Sequence, residues 1–205
     1  LLAGNDLLLM SPDLAAAQKG LLDALASGRI PRQRMVEAAT RVMTLRLRLT
    51  AAATPNPSTV DATANRDAAL KVAAAAVTVL GGPCTGALVK GGVHVTAASG
   101  REQQAQWLTA ALTAQGVPIV ASGGQLVHLV GYGDTASDLA AGAAVTVSMD
   151  TPYILQSATS AVRLATYSST QVAMEALAAV LAGKAPASGR SPVPVAGLPA
   201  STCAA

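Results

Sequence analysis

An apolar run opens this chain: Leu1 and Leu2, then a polar pair, Asn5-Asp6, then Leu7-Leu8-Leu9-Met10. A short apolar run bounded by Gly4 and Pro12 predicts a buried strand. Its abrupt start suggests a chain that begins inside a larger domain. Ser11-Pro12-Asp13 predicts a helix start, with Ser11 as N-cap, Pro12 at the first helical position and Asp13 in the first turn. Leu14, Leu21, Leu22 and Leu25 then recur at helical spacing to about Ala26. Gly28 suits the left-handed position after the helix. Pro31 opens a second helix to about Leu49, with Met35, Ala38, Val42 and Leu45 on its buried face and Glu37-Arg41 as an i,i+4 pair. Asn5 and Asp6 are expected to be buried structural polars.

The rhythm then changes. Residues 50–64 hold Pro55 and Pro57 and a single charge, Asp61, the pattern of an extended linker. From residue 65 onward strands and helical segments alternate. A helix at 65–74 leads into a strand at 76–80, and strands follow at 93–97, 118–120, 126–130, 144–149 and 162–167. Helices are expected at 101–115 and 169–181, with shorter ones at 136–141 and 154–161. Residues from Pro186 onward predict an irregular tail. Alternating strands and helices imply a mostly parallel sheet with helices on both faces, and near-continuous Val/Leu runs fit strands buried on both sides. The domains read as 1–49, a linker at 50–64, and 65–205.

Composition narrows the picture. Charged residues are 12% of the chain and hydrophobic ones 51%, so the core must be aliphatic. Aromatics are limited to Trp107, Tyr132, Tyr153 and Tyr167. No stretch reaches the roughly 18 uninterrupted apolar residues of a membrane span. The net charge of +3 is too small and dispersed to argue for nucleic acid, and the Arg41, Arg46 and Arg48 cluster reads as a solvated helix face. No basic n-region marks a signal peptide.

Candidate chemistry is sparse. Cys84 and Cys203 lack metal-ligand spacing; they are either a disulfide tying down the tail or two free thiols. No cofactor is expected. Gly131-Tyr132-Gly133-Asp134 follows a strand but lacks the third glycine of a dinucleotide loop, so a tight turn is the reading. His94 and His128 lie mid-strand, as core or edge residues. Asp150 follows a strand at the edge where α/β sheets place ligands; it reads as a cap of the next helical segment. No carboxylate pair is spaced as an acid/base couple.

The order of pieces resembles glycoside hydrolase family 3. Ala3-Gly4-Asn5-Asp6 to Met10 is similar to that family's final barrel strand, Ser27-Gly28-Arg29-Ile30 to its turn, and Arg41-Val42-Met43-Thr44-Leu45-Arg46 to its closing helix, with Arg46 where the family has Lys. Thr151-Pro152-Tyr153, Thr166-Tyr167-Ser168, Glu175-Ala176-Leu177 and Leu181-Ala182-Gly183 resemble closing segments of its second domain. The closest flavour is the two-domain bacterial β-N-acetylglucosaminidase branch.

The resemblance implies an α/β chain, the end of a (β/α)8 barrel followed by an open α/β sandwich domain with a mostly parallel sheet. It implies a retaining glycosidase, which needs a carboxylate nucleophile and an acid/base group; both would lie upstream of Leu1, as would the substrate-gripping residues. No catalytic residue is therefore expected in this chain. Barrel sites sit at the carboxyl ends of strands, so Met10 and Ser11 would line the sugar pocket. The implied partners are the N-terminal barrel portion and a carbohydrate bearing terminal β-linked N-acetylglucosamine, from cell-wall or chitin fragments. The implied location is secreted or associated with a bacterial cell envelope. The alternative is a non-catalytic carbohydrate-binding or interaction module, which exposed aromatics would have to support.

Overall fold

The computed structural model describes residues 1–60 and 62–203; Asp61 of the expected linker and the last two residues of the expected tail lie outside them. The chain divides into two compact units, Leu1–Thr59 and Val60–Ala205.

The first unit is a helical hairpin. Helix α1 spans Leu14–Ala26 and α2 spans Arg32–Ala51. The N-cap of α1 is Asp13, not Ser11. Asp13 is extended and its carboxylate accepts from the Ala16 N–H at 2.9 Å, satisfying one of the orphan donors of the first turn. Pro12 thus lies outside the helix. Gly28 is left-handed at φ 72° as expected. Helix α2 continues to Ala51, since nothing before Pro55 stops it. Glu37 accepts from Gln33 rather than pairing with Arg41.

The opening ten residues form no strand. Leu7, Leu8, Leu9 and Met10 are exposed, and Met10 is left-handed at φ 56°. A strand must spend its N–H and C=O groups on a neighbouring strand, and the described residues of this unit offer none. Side chains of α2 hold the segment instead. The Arg34 guanidinium donates to the Leu1 and Asn5 carbonyls at 3.1 and 3.0 Å, and to Asp6 Oδ1 at 2.8 Å. Asp6 is half-buried, whereas Asn5 is exposed, against its expected burial. Residues 50–64 are only partly extended: Ala51 closes α2, Pro57–Thr59 form a 3₁₀ turn, and Thr63 begins the next helix.

The second unit holds a five-stranded sheet. Its elements run α3 (Thr63–Ala76), β1 (Thr78–Gly81), β2 (Val93–Ala97), α4 (Glu102–Ala114), β3 (Gln125–Val130), β4 (Val145–Ser148), β5 (Val162–Ala165) and α5 (Gln171–Leu181). The spatial order is β1-β5-β4-β3-β2. Strands β2 to β5 are parallel, and β1 runs antiparallel to β5. Strand β4 is buried throughout, yet the parallel strands are aliphatic on one face only.

Alternation splits those faces. Val79, Val127, Leu129, Val145, Val147 and Leu164 face the main core, with Leu108 and Leu112 of α4 and Met174 and Leu177 of α5. All three α-helices of this unit join that one core, which corrects the expectation of helices on both faces. The other face carries the row Thr96, His128, Thr146 and Arg163, in register across β2 to β5. Short 3₁₀ turns, Ala136–Asp138 and Pro152–Ser157, stand where short helices were expected. Residues 118–120 make a single bridge, Ile119 to Val93, rather than a strand. Pro118 has no N–H to donate, which shortens any ladder there.

Candidate functional site

The carboxyl ends of β2, β3 and β4 bring together polar side chains from segments far apart in the sequence. The loop after β3 is Gly131-Tyr132-Gly133-Asp134. Asp134 folds back to accept from the Gly131 N–H at 2.6 Å. Arg101, at the start of α4, pairs with Asp134 at 3.3 Å and donates to the Tyr132 carbonyl at 2.6 Å. Asp150, after β4, accepts from the Tyr132 N–H at 2.8 Å. Both backbone groups of Tyr132 are thus fixed by side chains from neighbouring strand ends, while the residue itself is 75% exposed. Gly131 is buried, and a Cβ there would stand 2.8 Å from both Arg101 Nε and Asp150 Oδ2. Tyr153, in the loop after β4, is the second exposed aromatic.

This arrangement presents aromatic rings on a braced rim. It does not offer an acid/base couple, because Asp134 and Asp150 both spend carboxylate oxygens on backbone N–H groups. Asp150 therefore braces the β3 loop instead of capping the next turn, where Thr151 holds the cap position. Gly131 to Asp134 is the tight turn that the sequence indicated. Composition alone does not reveal the rim, and Arg101 carried no motif; its partners lie 31 and 33 residues away.

His128 is a satisfied core residue. It is buried, with Nδ1 at 2.8 Å from the Thr96 hydroxyl and Nε2 at 2.8 Å from the Asp138 carbonyl. A carbonyl only accepts, so Nε2 carries a proton, and in the neutral ring Nδ1 accepts from Thr96. Asp138 in turn is held below the usual carboxylate range by the Thr135 N–H and hydroxyl. His94 is half-buried on the edge strand β2. Cys84 and Cys203 are joined as a disulfide with Cα atoms 5.2 Å apart, which decides between the two readings.

In the first unit, Ser11 lines an apolar groove of about 440 Å³ with Leu7, Leu8, Leu14 and Leu21, and Asp6 stands at its wall. Met10 projects into solvent and is not part of that lining. Among the described residues no group of three His, Cys, Asp or Glu could hold a metal ion. No helix among them is long and apolar enough to cross a membrane.

No protein-family model and no curated protein matches the sequence. Solved structures do match the fold. A glycoside hydrolase family 3 β-N-acetylglucosaminidase from Paenibacillus sp. str. FPU-7 aligns with TM-score 0.57 and 20% identity, covering 88% of this chain and 43% of that one. The fold is one found in glycoside hydrolase family 3. A fungal multi-domain enzyme of family 3, also a β-N-acetylglucosaminidase, aligns with TM-score 0.57 and 16% identity over 96% of this chain and 28% of its own. A β-glucoside phosphorylase aligns with TM-score 0.55 and 17% identity over 86% and 41%. The chain thus spans less than half the length of each, and at these identities the likeness to the family 3 structures is one of fold.

Proposed function

We infer that this chain is the C-terminal portion of a retaining family 3 glycosidase that removes terminal β-linked N-acetylglucosamine from cell-wall or chitin-type fragments. Its catalytic nucleophile and acid/base group lie on an N-terminal barrel portion, and the enzyme works outside the cell or at a bacterial cell envelope. The observation that carries this reading is the family 3 β-N-acetylglucosaminidase fold match across 88% of the chain. The order of the sequence motifs supports it, as does the structural engagement of Asp134 and Asp150. Met10 and Ser11 are the residues of the first unit assigned to the sugar pocket.

A chromogenic β-N-acetylglucosaminide tests it. The isolated chain is expected to release no chromophore above the protein-free rate. Added to a separately produced barrel portion, it is expected to restore turnover. Turnover by the isolated chain would overturn the placement of catalysis, and a silent mixture would overturn the pairing.

A second reading, a non-catalytic carbohydrate-binding module, is favoured by the exposed Tyr132 and Tyr153. Aromatic contacts contribute roughly 0.5–1.5 kcal/mol beyond the area they bury. Tyr132→Ala is then expected to weaken binding of a chitin oligosaccharide to the isolated chain by roughly fivefold. Calorimetric titration reads this, and no heat from the unaltered chain rejects the module reading while leaving the glycosidase reading standing.

A further inference from the structure

The free side of β1 is the one not paired with β5. Along an extended segment the carbonyls of residues i and i+2 point the same way. Val77, just before β1, and Val79 within it therefore present their carbonyls together. Both are taken by the last segment of the chain. The Gly189 N–H donates to the Val77 carbonyl at 3.0 Å, and the Thr202 N–H to the Val79 carbonyl at 2.8 Å. The Thr202 hydroxyl adds a bond to Val79 at 3.2 Å. Gly189 lies so close that a Cβ there would collide with the Thr78 hydroxyl and the Ala76 carbonyl. Between these points the segment bonds mainly to itself, Ser191 to Ala200 and Leu198 to Val195. Pro192, Pro194 and Pro199 lack N–H donors, so it does not become a regular strand. Its covalent tie is the Cys84–Cys203 disulfide, one residue past Thr202. Cys84 is half-exposed and lines an open cleft of about 250 Å³ with Pro83, Lys184 and Pro186.

An unpaired strand edge is a template for another chain. We propose that residues 189–203 are a thiol-latched cover over the free edge of β1, and that opening the latch lets this edge accept the same segment from a second copy of the chain. The occupant follows from the contacts. A second copy brings the same Gly189, the same two N–H donors and the same Cys203, so exchange conserves every bond the cover now makes.

A dithiol reductant opens the latch. One of its thiolates attacks a sulfur of the Cys84–Cys203 bond, forming a mixed disulfide and releasing one cysteine thiolate, which takes up a proton. The second thiol of the reductant displaces the other cysteine. Two cysteine thiols result, the dithiol becomes a cyclic disulfide, and two electrons have moved. Closure between copies uses a small disulfide as oxidant: Cys84 of one copy joins Cys203 of the other, and two small thiols leave.

Hydrogen exchange on the whole chain, before and after dithiothreitol, reads the cover. Reduction is expected to speed exchange of the Gly189 and Thr202 amides about tenfold or more, as a local opening does, while Val127 and Val147 keep their protection. Unchanged protection at Gly189 and Thr202 would overturn the proposal. So would loss of protection at Val127 and Val147, because the disulfide would then hold the core and not a cover. For the exchange step, a Cys84→Ser chain is mixed with a Cys203→Ser chain and treated with glutathione disulfide. A disulfide-linked heterodimer is expected by non-reducing mass spectrometry, with Gly189 and Thr202 protected again. Homodimers in equal yield, or glutathione adducts alone, would overturn it. Reduced unaltered chain, reoxidised at high concentration, is expected to give some dimer joined by Cys84–Cys203 bonds between copies, identified by peptide mapping of the linked cysteines, and dimer joined only through Cys84–Cys84 or Cys203–Cys203 bonds would overturn the proposal. The proposal does not depend on the glycosidase reading.

Discussion

Asp6 meets two guanidinium groups, Arg34 at 2.8 Å and Arg41 at 3.3 Å. The hydrogen bond from Arg34 is the largest influence and holds the Asp6 carboxyl below the usual carboxylate range, with Arg41 adding to it. A carboxyl depressed in the folded state contributes stability above its unfolded value, near pH 4, and that contribution is lost as pH falls through the folded value. Acid titration of far-UV ellipticity should therefore show helix loss in the first unit below about pH 4. Asp6→Asn removes the titrating group, and its helix content should be lower at neutral pH and flatter through the acid range. An unaltered acid limb in Asp6→Asn would reject this role. The sequence showed Asp6 as a structural polar, but its partners, 28 and 35 residues away, were visible only in the fold.

At the scale of elements, Gly124 fixes how the chain enters β3. It is left-handed at φ 68°, and a Cβ there would collide with the Gly92 carbonyl. That carbonyl accepts from the Gln125 N–H at 2.8 Å, which begins the β2–β3 pairing. Gly124→Ala is expected to lower stability by at least about 1–2 kcal/mol, the left-handed penalty for a residue with a Cβ. Urea unfolding measures it, and a change within about 0.5 kcal/mol would reject the argument. Elements of this kind explain what was legible. The segments Leu126 to Val130 and Val145 to Val147 announce themselves because Val127, Leu129, Val145 and Val147 recur at every second position, the spacing of strands with one aliphatic face. Leu7 to Met10 carries the same signal and forms no strand, because apolar side chains do not supply a pairing edge. The cap of α1 moved from Ser11 to Asp13 because either side chain can accept an N–H, and local sequence does not rank them. The rim around Tyr132 was hidden for the opposite reason: Arg101, Asp134 and Asp150 come from three strand ends, and each looks ordinary alone.

Across the whole chain, stabilising contacts are unevenly distributed. Among the described residues of the first unit, only Ile30 and Ala38 are buried, whereas the second unit encloses the Val, Leu and Met core of its sheet and helices. Isolated helices are marginal without an apolar face to bury, and the 13 residues of α1 and 20 of α2 are in that position within their unit. The chain also supplies its own probes. All four aromatics lie in the second unit, and Trp107 packs partly buried against its core. Trp107 fluorescence therefore follows the second unit, while ellipticity at 222 nm follows the helices of both. In a urea titration the ellipticity is expected to begin falling at lower denaturant than the fluorescence, the mark of non-two-state unfolding. Addition of the proposed barrel portion, if it covers the exposed Leu7 to Met10 segment, should move the early phase toward the later one. Coincident transitions in the chain alone would mean that the helical hairpin is as stable as the sheet domain, and that its exposed leucines leave it no weaker.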